Sequence, residues 1–468
     1  MKAMIIGAGK LGSRLAEFMN ADDYDIILVD NNPNVVDRLN EHMDVITLQG
    51  NGTDINFLQE LEVGTMDVLI ATTGNDEANA MMCYFAKKLG CKLTIARMRD
   101  MEYLKQRDFL QESLSVDYII NPDQLTAEVI AKYLLRDVVF FTGDFAEGKV
   151  KMLDLHLRDH PELIDRQLMD IKAFRDLLVV AIQRENETII PYGATVLQED
   201  DTIYVLGKDQ DIKLFLSEFA LSNISKPVKK AMILGGGKVG AYLALALINA
   251  GVATTIIEID YERIKFLAEH VEHALIIQGD GTDMNLLEEE DIAGYDAFIG
   301  VTGMDEQNLL MAIMAKQYDV PKSVAKTSRQ NYARIIDKFP VDAAINPVNI
   351  SVSQILKYLR GGTVVSLNLM LGGNAQVLEI IATPGMPFIG KRLADLNLDK
   401  GIIVGTIVHE GVVSIAKGQS IIRAGDKIIL FVLSEQAEQM KKIFIPSNRS
   451  VVHELWDRAK SIRQSATR

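Results

Sequence analysis

The sequence predicts an α/β protein with two tandem Rossmann-like domains, each a doubly wound parallel sheet followed by a small α+β module. Three observations support this prediction. A glycine-rich turn follows a short apolar strand twice, at residues 7–12 and 235–240, so that the two turns begin 228 residues apart. Around each turn, strand-like and helix-like segments alternate, as expected of βαβ units in a parallel sheet. The order of segments then recurs in the second half of the 468-residue chain, which indicates an internal repeat.

Both turns match the G-x-G-x-x-G fingerprint of dinucleotide-binding βαβ units. The first comprises Gly7, Ala8, Gly9, Lys10, Leu11 and Gly12, and the second comprises Gly235, Gly236, Gly237, Lys238, Val239 and Gly240. In this motif the first glycine permits the tight turn, the second lets the backbone approach a pyrophosphate, and the third lets helix and strand pack closely. Unpaired N–H groups at the start of the following helix would then face the phosphates.

An acidic residue ends the next predicted strand, 18 residues after the last glycine of each fingerprint: Asp30 in the first unit and Glu258 in the second. A carboxylate at this position accepts hydrogen bonds from a ribose 2′-hydroxyl and repels a 2′-phosphate, which predicts NAD rather than NADP. Two copies with the same spacing are more specific than a single match. The alternative is a structural βαβ turn that binds no ligand.

The first unit continues with alternating helices and strands. We expect helices at Val35–Glu41, at Asp76–Leu89 and from Pro122 to about Leu135, and strands at Val45–Leu48, Val68–Ala71, Leu93–Arg97 and Tyr118–Ile120. Ligands of doubly wound sheets bind at the carboxyl ends of the strands. Candidate contacts that fall at such ends are Asp30, Asn51, Thr73, Gly74 and Arg97.

The segment after each Rossmann-like unit contains short strands separated by polar turns, such as Val150–Leu155, Leu177–Ile182 and Thr202–Leu206. We predict Rossmann domains at residues 1–135 and 230–359, small modules at 136–220 and 360–446, a linker at 221–229 and a C-terminal tail at 447–468. The linker assignment rests on its serines and its proline. The tail has no counterpart in the first half.

The second half repeats the first motif by motif. Gln278–Asp283 corresponds to Gln49–Asp54, Thr302-Gly303 to Thr73-Gly74, Ala325-Lys326 to Ala96-Arg97, and Ile345–Pro347 to Ile120–Pro122. Such agreement at equivalent strand ends predicts two crevices of related chemistry in one chain.

Composition narrows the possible functions. A net charge of −15 disfavours nucleic acid as a main partner, and 48% hydrophobic residues suffice for packed cores. Cys83 and Cys91 have neither metal-ligand nor disulfide spacing and suit a reducing cytosol. A strand begins almost at Met1, so we expect no signal peptide. The charge-free run Ala241–Ile257 contains a helix stop at Asn249–Gly251, which argues against a membrane span.

Neither a catalytic site nor a metal site is expected. A dehydrogenase needs a further domain that presents an acid or base to the nicotinamide, and none of the seven histidines recurs between the halves. His270 and His273 are interpreted as part of a solvated helix face, and metal binding is disfavoured both there and at His156/His160. The sequence contains no nucleophile-elbow, P-loop or zinc pattern. Two nucleotide units without a substrate domain favour sensing over turnover.

These motifs resemble the TrkA family, the NAD-binding regulatory subunits of bacterial and archaeal Trk potassium-uptake systems, whose units are called RCK or KTN domains. The resemblance covers about residues 1–446 and is carried by Gly7–Gly12, Asp30, Gly50–Asp54, Thr73-Gly74, Ile95–Arg97, Asn121-Pro122 and their second-half partners. It implies nucleotide contacts at Gly7–Leu11, Asp30, Thr73, Gly74 and Arg97, and in the second unit at Gly235–Val239, Glu258, Asp280, Thr302, Gly303 and Lys326. Glu258 replaces a commoner aspartate and Lys326 replaces an arginine, which leaves the second ligand open.

The resemblance also implies a function. It indicates RCK-C type modules and a cytoplasmic gating ring, a dimer or tetramer, on the inner face of the membrane beneath a TrkH-type potassium-translocating subunit. Members respond to NAD+ or NADH, and some also to ATP or ADP. A nucleotide that binds one ring shape better than another would shift the conformational equilibrium. A regulator of another ion or solute transporter, and an NAD-dependent oxidoreductase, are the alternatives.

Overall fold

The computed structural model describes residues 1–21, 24–135, 143–185, 187–218, 227–329 and 339–445. The chain divides into two compact units. One contains residues 1–139 and 223–355, and the other contains residues 140–222 and 356–468. Each unit therefore combines a segment from the first half of the chain with the matching segment from the second half.

The first Rossmann domain is a six-stranded parallel sheet with the strand order β3-β2-β1-β4-β5-β6. Its elements are β1 Lys2–Ile6, α1 Lys10–Ala21, β2 Asp25–Asp30, α2 Pro33–His42, β3 Ile46–Gln49, α3 Ile55–Glu60, β4 Val68–Ala71, α4 Asp76–Leu89, β5 Leu93–Arg97, α5 Met101–Lys105, α6 Arg107–Leu114, β6 Tyr118–Ile120 and α7 Pro122–Leu134. The central strands are buried on both faces, which explains their continuous apolar runs. The order reverses between β1 and β4, where doubly wound sheets open their ligand crevice.

Polar caps start the helices that follow the strand ends. The side chain of Asn75 accepts the N–H of Ala78 at α4, and that of Asn121 accepts the N–H groups of Asp123 and Gln124 at α7. Pro122 at the first position of α7 lacks an N–H, which no intrahelical carbonyl would have accepted there. These caps bring helix N-termini to the carboxyl edge of the sheet.

The first small module is a five-stranded sheet with the order β10-β9-β11-β8-β7, and its pairings are antiparallel. Its elements are β7 Gly143–Phe145, β8 Val150–His156, β9 Leu177–Arg184, β10 Glu187–Ile189, β11 Thr202–Lys208 and α8 Asp209–Glu218. The predicted strands at Val150, Leu177 and Thr202 are present and extend further than expected.

The second Rossmann domain repeats the parallel topology, with the order β14-β13-β12-β15-β16-β17. Its elements are β12 Lys230–Leu234, α9 Lys238–Asn249, β13 Ala253–Glu258, α10 Tyr261–His270, β14 Leu275–Gln278, α11 Met284–Glu289, β15 Ala297–Gly300, α12 Asp305–Gln317, β16 Lys322–Lys326, β17 Ala343–Ile345 and α13 Pro347–Arg360. The charge-free run noted in the sequence spans most of α9 and β13. Among the described residues, no helix has both the length and the apolar character needed to cross a membrane.

The second module has the order β18-β19-β22-β20-β21, again with antiparallel pairs. Its elements are β18 Val364–Met370, β19 Ala375–Ile381, β20 Ile402–His409, β21 Val412–Ile415, β22 Lys427–Leu433 and α14 Ala437–Phe444. Together the four sheets confirm the predicted fold class. Residues 221–226 of the predicted linker and the tail at 447–468 lie outside the described residues.

The two Rossmann domains pack on each other through α7 and α9. The side-chain amide of Asn121 donates to the hydroxyl of Tyr242 at 3.1 Å, and buried Lys322 donates to the last-turn carbonyl of Leu134 at 3.0 Å. A cation at a helix C-terminus is favoured by the exposed carbonyls there. Helix α7 of the first domain is therefore fixed against the second domain.

The two modules share an apolar core. Its buried members come from both: Phe145, Ala146, Val150, Met152, Val180, Ala181 and Leu206 from the first, and Met370, Ala375, Val377, Val408, Ile429 and Phe431 from the second. Polar contacts also join them, because Lys427 pairs with Glu147 at 2.7 Å and the N–H of Ala146 donates to Glu379 at 3.1 Å. Small modules that would have modest cores alone are stabilised in this way.

Candidate nucleotide-binding crevices

The three glycines of the first fingerprint occupy three different environments. Gly7 has φ +100°, and a Cβ there would lie 2.8 Å from the backbone N of Thr73. A Cβ on Gly12 would lie 1.9 Å from the carbonyl oxygen of Gly7. A Cβ on Gly9, by contrast, would meet nothing within 4 Å. The outer glycines therefore build the turn, and the middle one borders open space where a ligand could approach.

The second fingerprint has the same geometry. Gly235 has φ +104°, with a hypothetical Cβ 3.0 Å from Thr302 Cα, and a Cβ on Gly240 would lie 2.1 Å from the oxygen of Gly235. Gly237 again faces space with nothing within 4 Å. Helices α1 and α9 begin at Lys10 and Lys238, so each turn leads directly into a helix N-terminus with unpaired N–H groups.

The predicted acid of each unit accepts a hydrogen bond from the backbone of its glycine turn. Oδ2 of Asp30 accepts the N–H of Ala8 at 2.7 Å, while its other oxygen accepts the N–H of Asn32. Oε2 of Glu258 accepts the N–H of Gly236 at 2.6 Å, and its Oε1 accepts the N–H groups of Ile259 and Asp260. Each carboxylate oxygen has further lone-pair capacity, so both acids can hold the turn and still accept a ribose hydroxyl.

The longer acid of the second unit fits because the residue after the first glycine has no side chain. A Cβ on Gly236 would lie 2.4 Å from Leu267 Cδ1 and 3.1 Å from Glu258 Oε2. The first unit has Ala8 at this position together with the shorter Asp30. Alanine–aspartate and glycine–glutamate are thus two solutions to the same loop contact, a link that the sequence alone did not reveal.

The threonine–glycine segments at the ends of β4 and β15 are braced by buried asparagines. Oδ1 of Asn79 accepts from both the N–H and the hydroxyl of Thr73, and its amide donates to the carbonyls of Thr73 and Arg97. Asn308 makes the same four bonds to Thr302 and Lys326. Sequence reasoning missed both asparagines. Their signal was a polar residue recurring inside matching, otherwise apolar helix faces.

Asn51 and Asp280 organise the loops after β3 and β14. Oδ1 of Asn51 accepts the N–H of Thr53 at 3.1 Å, and Oδ1 of Asp280 accepts the N–H of Thr282 at 2.9 Å. Hydrogen bonds from Thr282, from its backbone first and then from its hydroxyl, hold the pKa of Asp280 below its usual range. The first loop also reaches the acid strand, since Gly50 N donates to the carbonyl of Asp30.

A cation lies at the carboxyl end of β5 and of β16. Nη1 of Arg97 donates to the carbonyl oxygens of Thr73 at 2.9 Å and Thr72 at 3.3 Å, while its Nε is buried without a hydrogen-bond partner among the described residues. Nζ of Lys326 donates to the carbonyl of Val301 at 3.2 Å. Burial lowers the pKa of both groups. Within the described residues the hydrogen bonds of both cations go to neutral carbonyls, which favours an incoming anion.

The first crevice has charged neighbours that sequence reasoning did not identify. A cleft of about 380 Å³ is lined by Gly74, Asp76, Arg99, Asp100, Glu102 and, from the second domain, Lys238. Arg99 pairs with Asp123, Nε to Oδ2 at 2.6 Å and Nη2 to Oδ1 at 3.1 Å. This pair, placed 24 residues apart in sequence, raises the pKa of Arg99. Lys238, expected in the second crevice, therefore also borders the first.

Comparison with family models finds matches in all four segments. The TrkA-N domain matches residues 3–122 and 231–347. The TrkA-C domain matches residues 156–220 and 377–445. Each model therefore matches twice, in agreement with the internal repeat.

Similar proteins and structures extend over nearly the whole chain. Trk system potassium uptake protein TrkA homolog 2 of Methanosarcina mazei is 33% identical over 95% of this chain and 100% of its own length. Trk system potassium uptake protein TrkA of Haemophilus influenzae is 30% identical over 96% of this chain and 99% of its own length. The GsuK RCK domain matches with a TM-score of 0.57 at 16% identity, covering 95% of this chain and 94% of its own. A GsuK channel bound to NAD matches with a TM-score of 0.56 at 16% identity, covering 95% and 78%.

Proposed function

This chain belongs to the TrkA family, and from that membership together with its paired crevices we propose that it is a nucleotide-sensing regulatory subunit of a Trk-type potassium-uptake system. One observation carries the proposal. In each Rossmann domain an open glycine turn, an acid bonded to that turn and a cation without a carboxylate partner in the described part of the chain converge at one sheet edge. That set of groups recognises a ribose and a phosphate, and it occurs twice.

We propose NAD+ or NADH as the ligand class of the first crevice. Asp30 supplies an acceptor for ribose hydroxyls, Gly9 leaves room for the pyrophosphate, and Arg97, Thr73 and Gly74 lie at the adjoining strand ends. A 2′-phosphate would meet the Asp30 carboxylate, so NADP is disfavoured. ATP or ADP is a second candidate, favoured by Arg99 and Lys238 in the neighbouring cleft, because both cations could face additional phosphates.

In the second crevice the proposed contacts are Gly235–Val239, Glu258, Asp280, Thr302, Gly303 and Lys326. The braced threonine and the acid-bonded turn have the same geometry as in the first domain. Lysine offers a point charge where arginine offers a planar fork, so its grip on a phosphate is less directional. We therefore propose the same class of ligand with a different affinity.

Regulation would operate by linkage. A nucleotide that binds one arrangement of the domains more tightly than another shifts the equilibrium toward that arrangement by its differential affinity. The α7–α9 packing gives the first crevice a mechanical connection to the second domain. Transmission to transport requires a membrane partner, for which we propose a TrkH-type potassium-translocating subunit. The chain would dock as a dimeric or tetrameric ring on the cytoplasmic face of the membrane.

Three measurements test this proposal. Calorimetric titration with NAD+, NADH, ATP and ADP should detect binding at both crevices, and light scattering should detect a dimer or tetramer. The protein should co-purify with a TrkH-type subunit, and a nucleotide should alter potassium flux in vesicles that contain both. A strictly monomeric protein, or flux that is indifferent to this chain with every nucleotide, would contradict the proposal. Flux of a different ion under the same control would favour the regulator of another transporter.

The oxidoreductase alternative has its own test. Catalysis of hydride transfer requires an acid or base held near the nicotinamide. We expect the absorbance of NADH to stay constant when the protein is mixed with a panel of carbonyl compounds. Sustained, protein-dependent consumption of NADH by any of them would overturn the regulatory proposal.

A further inference from the structure

Asp123 is a buried carboxylate at the junction of the two Rossmann domains. It lies in the first turn of α7, positioned there by the Asn121 cap, and is only 8% exposed. Its two oxygens accept from Nε and Nη2 of Arg99, at 2.6 and 3.1 Å. The guanidinium is held along one edge, and the Arg99 side chain remains 39% exposed to the cleft that it shares with Lys238.

The second Rossmann domain lacks this pair although its frame is the same. Asp76 and Asp305 accept the equivalent backbone N–H groups, those of Arg99 and Asp100 in the first domain and of Ser328 and Arg329 in the second. Ser328 thus takes the place of Arg99, and Val348, two residues after Asn346, takes the place of Asp123. The fold therefore does not need the ion pair, which points to a role at the first crevice.

The other acids of the cleft have other partners: Asp76 accepts the backbone N–H groups of Arg99 and Asp100, and Oε1 of Glu102 lies 4.0 Å from Nε2 of His270 in the second domain. Glu77 accepts from the Tyr103 hydroxyl, and Glu102 pairs with Lys105. Asp123 differs because it acts on cations of both crevices. Burial lowers the pKa of Arg97 and of Lys326, and the negative charge of Asp123 opposes that decrease at each. An incoming phosphate would oppose the same decrease, so Asp123 and a ligand phosphate exert the same electrostatic effect.

We propose, on the premise that the first crevice binds a nucleotide, that Asp123 is a specificity-determining residue that disfavours ligands with additional phosphate charge relative to a dinucleotide. Its carboxylate already balances Arg99 and therefore reduces the net positive field that a phosphate meets. The penalty rises with ligand charge, since Coulomb energy is proportional to the product of the charges. ATP should be disfavoured most, ADP less and NAD+ least. Because Asp123 also acts on Lys326, its removal should shift ATP affinity at the second crevice in the same direction as at the first.

The test is calorimetric titration of the full chain and of D123N with ATP, ADP and NAD+. The first-crevice event is the one that D30A weakens. Asparagine keeps the shape and one acceptor for Arg99 but removes the charge. We expect ATP to bind about tenfold more tightly to D123N, ADP by a smaller factor and NAD+ within about twofold, with the gain in ATP affinity shrinking at high salt.

Matched variants complete the test. E128Q removes a charge from the same helix, α7, but from an exposed acid outside the cleft that accepts a hydrogen bond from Gln124, and should change each affinity by less than about twofold. The double variant S328R/V348D builds the pair into the second crevice, where it should bind ATP more weakly relative to NAD+ than S328R alone, which adds the cation without the carboxylate. This comparison does not depend on the folding of D123N.

The outcomes separate the two proposals. Equal shifts for all three ligands in D123N, or weaker ATP binding, would overturn the role of Asp123 while leaving the nucleotide crevice intact. Failure of all three ligands to bind the first crevice of the unmodified chain would overturn the proposed function and this inference with it.

Discussion

The two Rossmann domains hold an acid against a glycine turn in the same way but with side chains of different length. Asp30 accepts the backbone N–H of Ala8 at 2.7 Å, and Glu258 accepts the equivalent N–H of Gly236 at 2.6 Å. Their cations differ more. Arg97 has an arginine–aspartate pair beside it, whereas Lys326 has Ser328 at the position equivalent to Arg99. The repeat therefore preserves backbone geometry strictly, while the charges around the crevice differ.

Substitution of the middle glycine of each fingerprint should have the largest effect, because it should abolish nucleotide binding in one crevice and leave the other intact. In G9V and G237V the new side chain would enter the open space of its own turn, so each variant should lose nucleotide binding in its own domain, by about 100-fold or more, with little loss of stability. Calorimetry and thermal unfolding measure the two effects. G12A serves as the contrast, because its Cβ would lie 1.9 Å from a carbonyl oxygen and should destabilise the turn itself. Loss of both crevices in either valine variant would break the assignment of one site to each domain.

The acids should contribute next. D30A removes a charge-assisted acceptor for the ribose hydroxyls, worth about 1.5–3 kcal/mol, and also releases the Ala8 N–H. We expect NAD+ or NADH to bind the first crevice at least tenfold more weakly. E258A should have the corresponding effect in the second crevice only. Equal affinities of D30A and the unmodified chain in calorimetry would remove Asp30 from the site.

The close packing of Glu258 and Leu267 around Gly236 should be measurable as a change in the free energy of unfolding. G236A would place a Cβ 2.4 Å from Leu267, and overpacking of this kind costs about 1–3 kcal/mol. Adding E258D, which recreates the alanine–aspartate combination of the first domain, should recover part of the loss. Chemical denaturation of G236A, E258D and the double variant gives the coupling energy. Strictly additive effects would show that the two positions are independent.

Dependence on pH should reveal the smallest difference. Burial lowers the pKa of Lys326 below that of an ordinary lysine, so it begins to lose its proton below the usual value of about 10.4. Anion binding requires the charged form. Affinity at the second crevice should therefore fall as pH rises through the lowered pKa of Lys326, while Arg97 keeps the first crevice charged. K326R should abolish the fall, and a parallel decline in both crevices would point to a different titrating group.

Much of this molecule was predictable because its signals are local. Gly7 and Gly235 adopt positive φ angles that favour glycine, and a Cβ on Gly12 or Gly240 would collide with the turn, so the demands of the backbone appear directly as residue type. Continuous apolar runs marked the buried parallel strands. The carboxyl ends of those strands placed Asp30, Thr73 and Arg97 in one crevice by topology alone.

Tertiary structure decided everything that depends on side chains distant in sequence. The brace from Asn79 to Thr73 and Arg97, the space that Gly236 leaves for Glu258 and Leu267, and the pairing of Arg99 with Asp123 all require knowing which long side chains meet. The shared core of the two modules around Phe145 and Phe431 likewise joins residues that lie far apart in the sequence. The spacing of apolar residues and the residue types at turns specify a helix or strand locally, within its own sequence. A contact between two elements depends instead on how their packed side chains fill the space between them.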